Sequence, residues 1–300
     1  FIAVAHHHLG WILYHCGRLT ESVAHQEEVI GLYDRCYHQP MIQMFGHDFG
    51  VTSLGWSAWP LCCLGYVDKA IKRCHEAIAL AQSFDHPFSL MHAYGMTAQT
   101  YWLSGDLIRA GDFGERMMAL AESYGFSSYI AAGEATLGGS KFVSKGQFVQ
   151  GLVHMRKALD LWEMGGMKLY HRGTLFAMFQ VHIQLGQIDE AQSIMDEIDA
   201  LGFHDHTVAL TETARGQLQA AQRSAPEEVE ATFLRAIHIA QEMEAKLFEL
   251  QAVMGLAQLW QMQGRQEEAR EQLAAVYSWF TEGFDTPILQ AAAAMLAEWS

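Results

Sequence analysis

Histidine is the residue type that most invites a chemical role in this chain, because the 300 residues contain 16 of them. His6, His7 and His8 are adjacent, so on a helix their rings point in different directions and cannot converge on one metal ion. His204-Asp205-His206 falls in a predicted loop, where it could bind zinc with two ligands from outside. A solvated turn explains the same three residues better. The histidines therefore predict no metal site.

Other patterns that carry chemistry are missing from the sequence. It contains no GxxxxGK[ST] phosphate loop, no HExxH helix, no GxSxG turn and no Cys-x-x-Cys pair. Gly138-Gly139 falls on a helix face, where close packing is a better explanation than phosphate binding. The 15 methionines could form an adaptable binding surface, but Met155, Met195 and Met243 fall at predicted core positions. We predict no catalytic residue, no cofactor, no metal and no enzymatic activity for this chain itself.

The net charge and the composition restrict the classes of partner that this chain can bind. The formal net charge is −15 and no basic stripe is present, so phosphate backbones and anionic membrane surfaces repel the chain. No run of about 18 apolar residues could span a membrane. The five cysteines all fall in the first quarter of the chain and are interpreted as reduced thiols, which predicts a cytoplasmic protein.

One spacing recurs along the chain about every 40 residues, which is typical of stacked helical repeats. A glycine is followed five positions later by a small residue that opens a second apolar stretch. The glycines are Gly65, Gly105, Gly146, Gly186 and Gly264, and the small residues are Ala70, Ala110, Gly151, Ala191 and Ala269. Armadillo and HEAT repeats lack this spacing. It predicts tetratricopeptide-like helix pairs, lengthened from the usual 34 residues.

The unit after residue 49 shows how one repeat is built. Gly65 ends the first helix in a left-handed conformation, Asp68 is placed to cap the second, and His86-Pro87 closes the unit. Extended along the chain, this plan predicts an all-α fold: a single tetratricopeptide-like domain over 1–300, wound as a right-handed superhelical solenoid. It has about seven helix pairs and a C-terminal cap helix. The predicted repeats are approximately 3–34, 49–87, 88–125, 129–166, 169–202, 207–243 and 247–280, and the cap helix is 286–299.

The N-terminal end is apolar and has no capping residue. Phe1-Ile2-Ala3-Val4 begins as if inside a helix, so we expect a fragment of a longer protein. A solenoid end without a polar cap leaves apolar surface in water, and we expect self-association through it.

Several short motifs resemble one family. They are Phe45-Gly46-His47-Asp48-Phe49-Gly50-Val51, His86-Pro87-Phe88-Ser89-Leu90, Phe248-Glu249-Leu250-Gln251-Ala252 and Trp279-Phe280-Thr281-Glu282-Gly283-Phe284-Asp285-Thr286-Pro287. They are similar to the C-terminal repeat region of large bacterial signalling proteins, which join a class III adenylate or guanylate cyclase domain, an AAA (STAND-type) ATPase domain and such an array. Neither the cyclase aspartates nor the ATPase phosphate loop has a counterpart here.

The resemblance implies a non-catalytic sensor or protein-interaction scaffold that regulates upstream cyclase or ATPase domains of the same chain in bacterial signal transduction. One alternative is the sensor arm of a STAND-type ATP-dependent transcriptional regulator that binds a small effector. Another is part of an enzyme completed by domains outside this sequence. That alternative needs ionisable residues clustered on the inner helix faces, where the sequence places almost none. A purely structural spacer also stays open.

Counting back from each turn glycine gives the positions expected on the concave face, which the first helix of each pair lines in such arrays. They are His7, Trp11, Tyr14, Trp59, His92, Gln99, Trp102, Phe176, Gln180, Gln184 and Gln258. The set is rich in aromatic and amide side chains and contains no lysine or arginine, which disfavours a groove for a C-terminal carboxylate. It favours an apolar peptide segment or an uncharged small effector. Alternatively, Trp11, Trp59 and Trp102 pack between repeats.

Overall fold

The computed structural model describes residues 2–38, 42–167, 170–202 and 206–299, and within these ranges every regular element is a helix. Phe1, Pro40 and the pair His204-Asp205 lie outside the described residues. The helices are α1 (Ile2–His15), α2 (Leu19–Leu32), α3 (Arg35–His38), α4 (Ile42–Phe45), α5 (Phe49–Cys63), α6 (Val67–Gln82), α7 (Pro87–Leu103), α8 (Leu107–Tyr124), α9 (Ser127–Thr136), α10 (Phe148–Met164), α11 (His171–Gln184), α12 (Ile188–Ala200), α13 (Val208–Ala221), α14 (Pro226–Glu242), α15 (Lys246–Met262), α16 (Gln266–Tyr277) and α17 (Pro287–Glu298).

Within the described residues these helices form seven consecutive pairs followed by α17. The pairs are α1–α2, α5–α6, α7–α8, α9–α10, α11–α12, α13–α14 and α15–α16, and the partners in each pair pack on each other. The all-α, tetratricopeptide-like fold predicted from the sequence is therefore confirmed. The longer connection expected between the first two pairs contains the single-turn helices α3 and α4.

The small residues that follow the turns let paired helices approach closely. Ala70, Ala110 and Ala191 are fully buried. In the fourth pair, α9 continues as a π-helical turn (Leu137–Phe142). A Cβ added to Gly138 there would lie 2.6 Å from the carbonyl oxygen of Gly151 on α10. Because two backbones meet at this point, Gly138 serves helix packing, as the sequence suggested.

One predicted helix cap is wrong. The residue directly after the turn glycine occupies the N-cap position, and this is Asp106 in α8, whose carboxylate accepts the Arg109 amide at 2.9 Å. In α6 the same position is Tyr66, which makes no capping hydrogen bond. Asp68 therefore lies inside the first helical turn and bonds elsewhere.

The array closes on itself, which the sequence did not predict. The turns of the first three pairs contact elements near the C-terminal end of the chain along a line that we call the seam. Gly17 lies against Met243, Gly65 against Trp279 and Phe280, and Gly105 against Pro287 and Ile288. The turn glycines Gly146, Gly186 and Gly264 have no comparable neighbours. Helix α17, expected only to cap the last pair, thus also closes the seam.

Candidate ligand-binding cavity

The first helices of all seven pairs converge on one cavity of about 260 Å³. Each contributes at least one side chain to its wall: Tyr14 from α1, Trp59 from α5, Trp102 from α7, Tyr129 from α9, Phe176 from α11, Leu210 from α13 and Phe248 from α15. Because the ring closes at the seam, residues far apart in the sequence face one space. The second helices add Met117 and Trp162.

Aromatic rings form much of the wall, and some are held in place by contacts with one another and with the backbone. The Trp56 and Trp59 rings meet edge to face with centroids 4.6 Å apart. The Trp59 Nε1–H donates a 3.1 Å hydrogen bond to the Met96 carbonyl oxygen on α7. Trp59 and Trp102 are only half-buried, so part of each indole remains available to a ligand. Such rings offer large contact areas with little conformational freedom to lose.

A few polar groups stand among these rings. The Ser140 and Thr174 side chains line the cavity and are buried, and neither hydroxyl has a hydrogen-bond partner among the described residues. Gln99 also lines the cavity and is half-buried. A buried hydroxyl without a partner is costly, so a ligand that bonds to one gains affinity.

His92 is one of three histidines in the wall, together with His15 and His206. Its Nδ1 lies 2.6 Å from the Tyr129 hydroxyl, and its Nε2 has no partner among the described residues. Burial, with a smaller contribution from His47, lowers the pKa of His92 to about 3, so the ring is neutral at neutral pH. Burial raises the pKa of Tyr129, so its phenol keeps its proton. We expect that phenol to donate to Nδ1, which leaves Nε2–H as a donor.

Formal charge is scarce in the wall. Among the described lining residues Arg172, near the start of α11, is the one with a formal charge, and its Nη1 donates to Thr207 Oγ1 at 3.2 Å. The sequence-based set lacked it, since positions counted back from the turn glycine do not reach the start of a first helix. No carboxylate of the described residues faces the cavity.

Six of the eleven residues expected on the concave face line the cavity: Tyr14, Trp59, His92, Gln99, Trp102 and Phe176. The other five lie elsewhere. His7 is buried, with Nδ1 2.8 Å from Ser53 Oγ, and Trp11 packs edge to face on His15 and Trp56. Gln180 donates to Gln217, and Gln184 and Gln258 are exposed. Packing between repeats is thus the role of Trp11, whereas Trp59 and Trp102 reach the cavity.

Sequence reasoning missed several lining residues. Trp56 precedes Trp59 by one helical turn, so its position on the same face was available from the spacing. Trp162 comes from a second helix, and His206 comes from the connection before α13. The repeat pattern predicts neither residue in the wall, because the position of each relative to the cavity depends on how the superhelix closes. Among the described residues no group of three or more His, Cys, Asp or Glu side chains is placed to hold a metal ion.

Comparisons with known proteins agree on the fold. A family model described as tetratricopeptide repeat matches residues 3–35. The crystal structure of a Rap protein complexed with competence and sporulation factor is 12% identical, with 98% of this chain and 76% of that chain covered and a TM-score of 0.64. The apo form of the quorum sensor NprR from B. thuringiensis is 17% identical, with 87% and 71% covered and a TM-score of 0.56.

A STAND protein with a tetratricopeptide repeat sensor, from Pyrococcus horikoshii, aligns at a TM-score of only 0.46, with 11% identity over 94% of this chain and 42% of that chain. No curated protein matches the sequence. At these identities the likeness shows a shared tetratricopeptide-like fold. No helix within the described ranges is long and apolar enough to cross a bilayer.

Proposed function

We propose that this chain is a non-catalytic sensor and interaction scaffold whose effector occupies the central cavity. The observation that carries this proposal is the convergence of all seven first helices on one aromatic-lined space. A ligand held there contacts every repeat at once, so its binding energy acts on the shape of the whole array. Concave, mostly apolar spaces with a few polar groups are the usual form of ligand sites.

The chemistry of the wall favours an uncharged small molecule or one apolar segment of a peptide. Aromatic rings and neutral hydrogen-bonding groups dominate, and the volume of about 260 Å³ lies just below the usual range for small-molecule sites. The two structural relatives support a sensing role for such a fold, since one was solved with competence and sporulation factor and the other is a quorum sensor.

The partner that receives the signal is proposed from the motif resemblance. The array regulates an upstream cyclase or ATPase domain in the cytoplasm of a bacterium. The sensor arm of a STAND-type transcriptional regulator is the alternative output. The effector occupies the same cavity whichever of these two outputs the array controls, so the ligand test below applies to both.

The test uses N-phenyl-1-naphthylamine, an uncharged aromatic dye that becomes fluorescent in apolar surroundings. Gly173 lines the cavity and is exposed, so it lies at the opening, and an added Cβ there meets no atom within 4 Å. We expect the unsubstituted chain to bind the dye saturably, and Gly173→Phe to weaken binding at least about tenfold by filling the opening.

Gly31→Phe is the matched control, because Gly31 is also an exposed helical glycine with open space around it but lies on α2, away from the cavity. It should leave the dissociation constant unchanged. Lack of saturable binding by the unsubstituted chain, or equal loss in the two variants, would contradict the proposed function.

A further inference from the structure

The most specific motif of the sequence, residues 279–287, forms the C-terminal side of the seam, and we call it the closing segment. A Cβ placed on Gly65 would lie 2.7 Å from Cζ3 of Trp279, so that ring lies directly on the turn between α5 and α6. The Tyr66 and Trp279 rings are 5.7 Å apart, and the Lys246 ammonium lies 5.8 Å from the centre of the indole.

Two hydrogen bonds from backbone amides to carboxylate side chains cross the seam next to this ring. The amide of Lys69 donates to Glu282 Oε1 at 3.1 Å, and the amide of Gly283 donates to Asp68 Oδ2 at 3.1 Å. Helix α6 lacks a cap of its own, because Tyr66 makes no capping bond. Glu282 therefore satisfies one of the first-turn amides that a helix cannot satisfy itself.

The seam and the cavity share a wall. Tyr14 and His15 lie on one side of the seam and His206 on the other, and all three line the cavity. The Tyr14 and His206 rings are 4.1 Å apart, and the His206 amide donates to the His15 carbonyl oxygen at 3.3 Å. Phe248, from the helix that starts with the seam residue Lys246, also lines the cavity. If the seam separates, these walls separate with it.

We infer that occupancy of the cavity and closure of the seam are thermodynamically coupled, with the closing segment as the element that opens and closes. This inference rests on the proposed function and names the regulation of the same site. A ligand that touches both walls favours the closed ring, and by reciprocity a weakened seam lowers ligand affinity. The closing segment thus converts ligand binding into a change of shape that a neighbouring domain can sense.

Two glycines make a matched test. Gly65 and Gly264 both end first helices with positive φ, 98° and 78°, so alanine strains either turn. Only at Gly65 does the added methyl meet Trp279, since the space around Gly264 is open. We expect Gly65→Ala to raise the dissociation constant of N-phenyl-1-naphthylamine about fivefold or more, the lower end of usual coupling factors, and Gly264→Ala to leave it unchanged.

A second variant avoids strain in the turn. Trp279→Ala removes the ring from the seam, and the control Tyr124→Ala removes an exposed ring from α8, away from the seam. Hydrogen exchange at the Lys69 and Gly283 amides reports closure directly. We expect the dye to slow exchange at both amides, and Trp279→Ala, but not Tyr124→Ala, to speed exchange and weaken dye binding.

The outcomes separate the two proposals. Dye binding that is equally tight in Gly65→Ala, Trp279→Ala and their controls would overturn the coupling and leave the proposed function intact. The coupling is also overturned if the dye binds without changing exchange at Lys69 and Gly283. If the unsubstituted chain does not bind the dye, the proposed function fails, and the coupling fails with it.

Discussion

The amide of Gly283 donates a 3.1 Å hydrogen bond to Asp68 Oδ2, 215 positions earlier in the chain. This bond joins the connection between α16 and α17 to the start of α6, where the sequence predicted a local helix cap. In an open solenoid each repeat contacts only its neighbours. Here the first three pairs also contact the last elements, so part of the stability of the array depends on closure.

Asp68→Ala tests the energetic contribution of that bond. Asp189 is its matched control, because it also lies three positions after a turn glycine, in the first turn of α12, and is exposed. Both variants lose the favourable interaction of an acid with a helix N-terminus. Only Asp68→Ala also loses the bond to Gly283. We expect it to lower the free energy of unfolding by about 0.5–1.5 kcal/mol more than Asp189→Ala, measured by urea denaturation. Equal losses would mean that the seam bond adds nothing.

The repeat was predictable because it is local. A turn glycine such as Gly105 indicates a left-handed turn, and the small residue five positions later, such as Ala110, indicates a close contact between the two helices of the same pair. Closure is not local. Gly65 and Gly146 look alike in the sequence, yet Gly65 lies under Trp279 and Gly146 has open space around it. Which turn meets another part of the chain depends on the summed rotation of all repeats, which no single repeat encodes.

The cavity was partly predictable for the same reason. Trp59 and Gln99 each lie six residues before a turn glycine and line the cavity. Gln258 has the same spacing from Gly264 and is exposed, so this spacing alone does not determine which side chains reach the cavity. Gln184 lies only two residues before Gly186 and is also exposed. His206 lies outside the repeat pattern and reaches the cavity only because the array closes.

Ala110→Leu tests the close packing of a helix pair. Ala110 is fully buried in α8, so a larger side chain must displace its neighbours. We expect a loss of about 1–3 kcal/mol in the free energy of unfolding. Ala119→Leu, at an exposed position of the same helix, should change it by less than about 0.5 kcal/mol. If the melting temperature of Ala110→Leu were unchanged, the position assigned to Ala110 in the contact between the paired helices would be wrong.

Buried neutral histidines should make the protein less stable in mild acid. Burial, followed by the nearby His47 and other histidines, lowers the pKa of His7 to about 3, and burial lowers that of His92 to about 3. As the pH falls below about 6.5, the unfolded chain binds protons at these sites and the folded chain does not. Each site then lowers the free energy of unfolding by up to about 1.4 kcal/mol per pH unit, until the pH approaches the pKa of that site in the folded chain.

The measurement is the slope of unfolding free energy between about pH 6 and pH 5, above most carboxylate titrations. His7→Gln with His92→Gln should flatten the slope markedly, although His47, whose pKa burial also lowers, keeps part of it. His238→Gln, at an exposed position, should not change it. If the slope stayed equally steep in the double variant, the His7 and His92 rings would not be the source of the pH dependence of stability.

The exposed face of α1 is expected to drive self-association. Ile2, Leu9 and Ile12 are 69%, 45% and 47% exposed and fall on one side of the helix. We expect light scattering of concentrated protein to show oligomers that Leu9→Gln with Ile12→Gln disperses. Val149→Gln with Val153→Gln, at exposed positions of α10, is the control and should leave them. If the α1 variant formed oligomers of unchanged size, this face of α1 would not be the interface.

Trp59 and Trp102 should determine the affinity of the cavity for apolar ligands. Trp59→Ala with Trp102→Ala removes two half-buried indoles that two neighbouring first helices, α5 and α7, contribute to the wall, and we expect N-phenyl-1-naphthylamine to bind at least about tenfold more weakly. Trp59→Phe with Trp102→Phe keeps ring contacts and loses mainly the bond to Met96, so its affinity should stay within about threefold. Circular dichroism should show the same helical content in both variants, since neither changes a turn or a pair contact. Full affinity in the alanine variant would mean that the indoles serve packing between repeats and that the ligand site lies elsewhere.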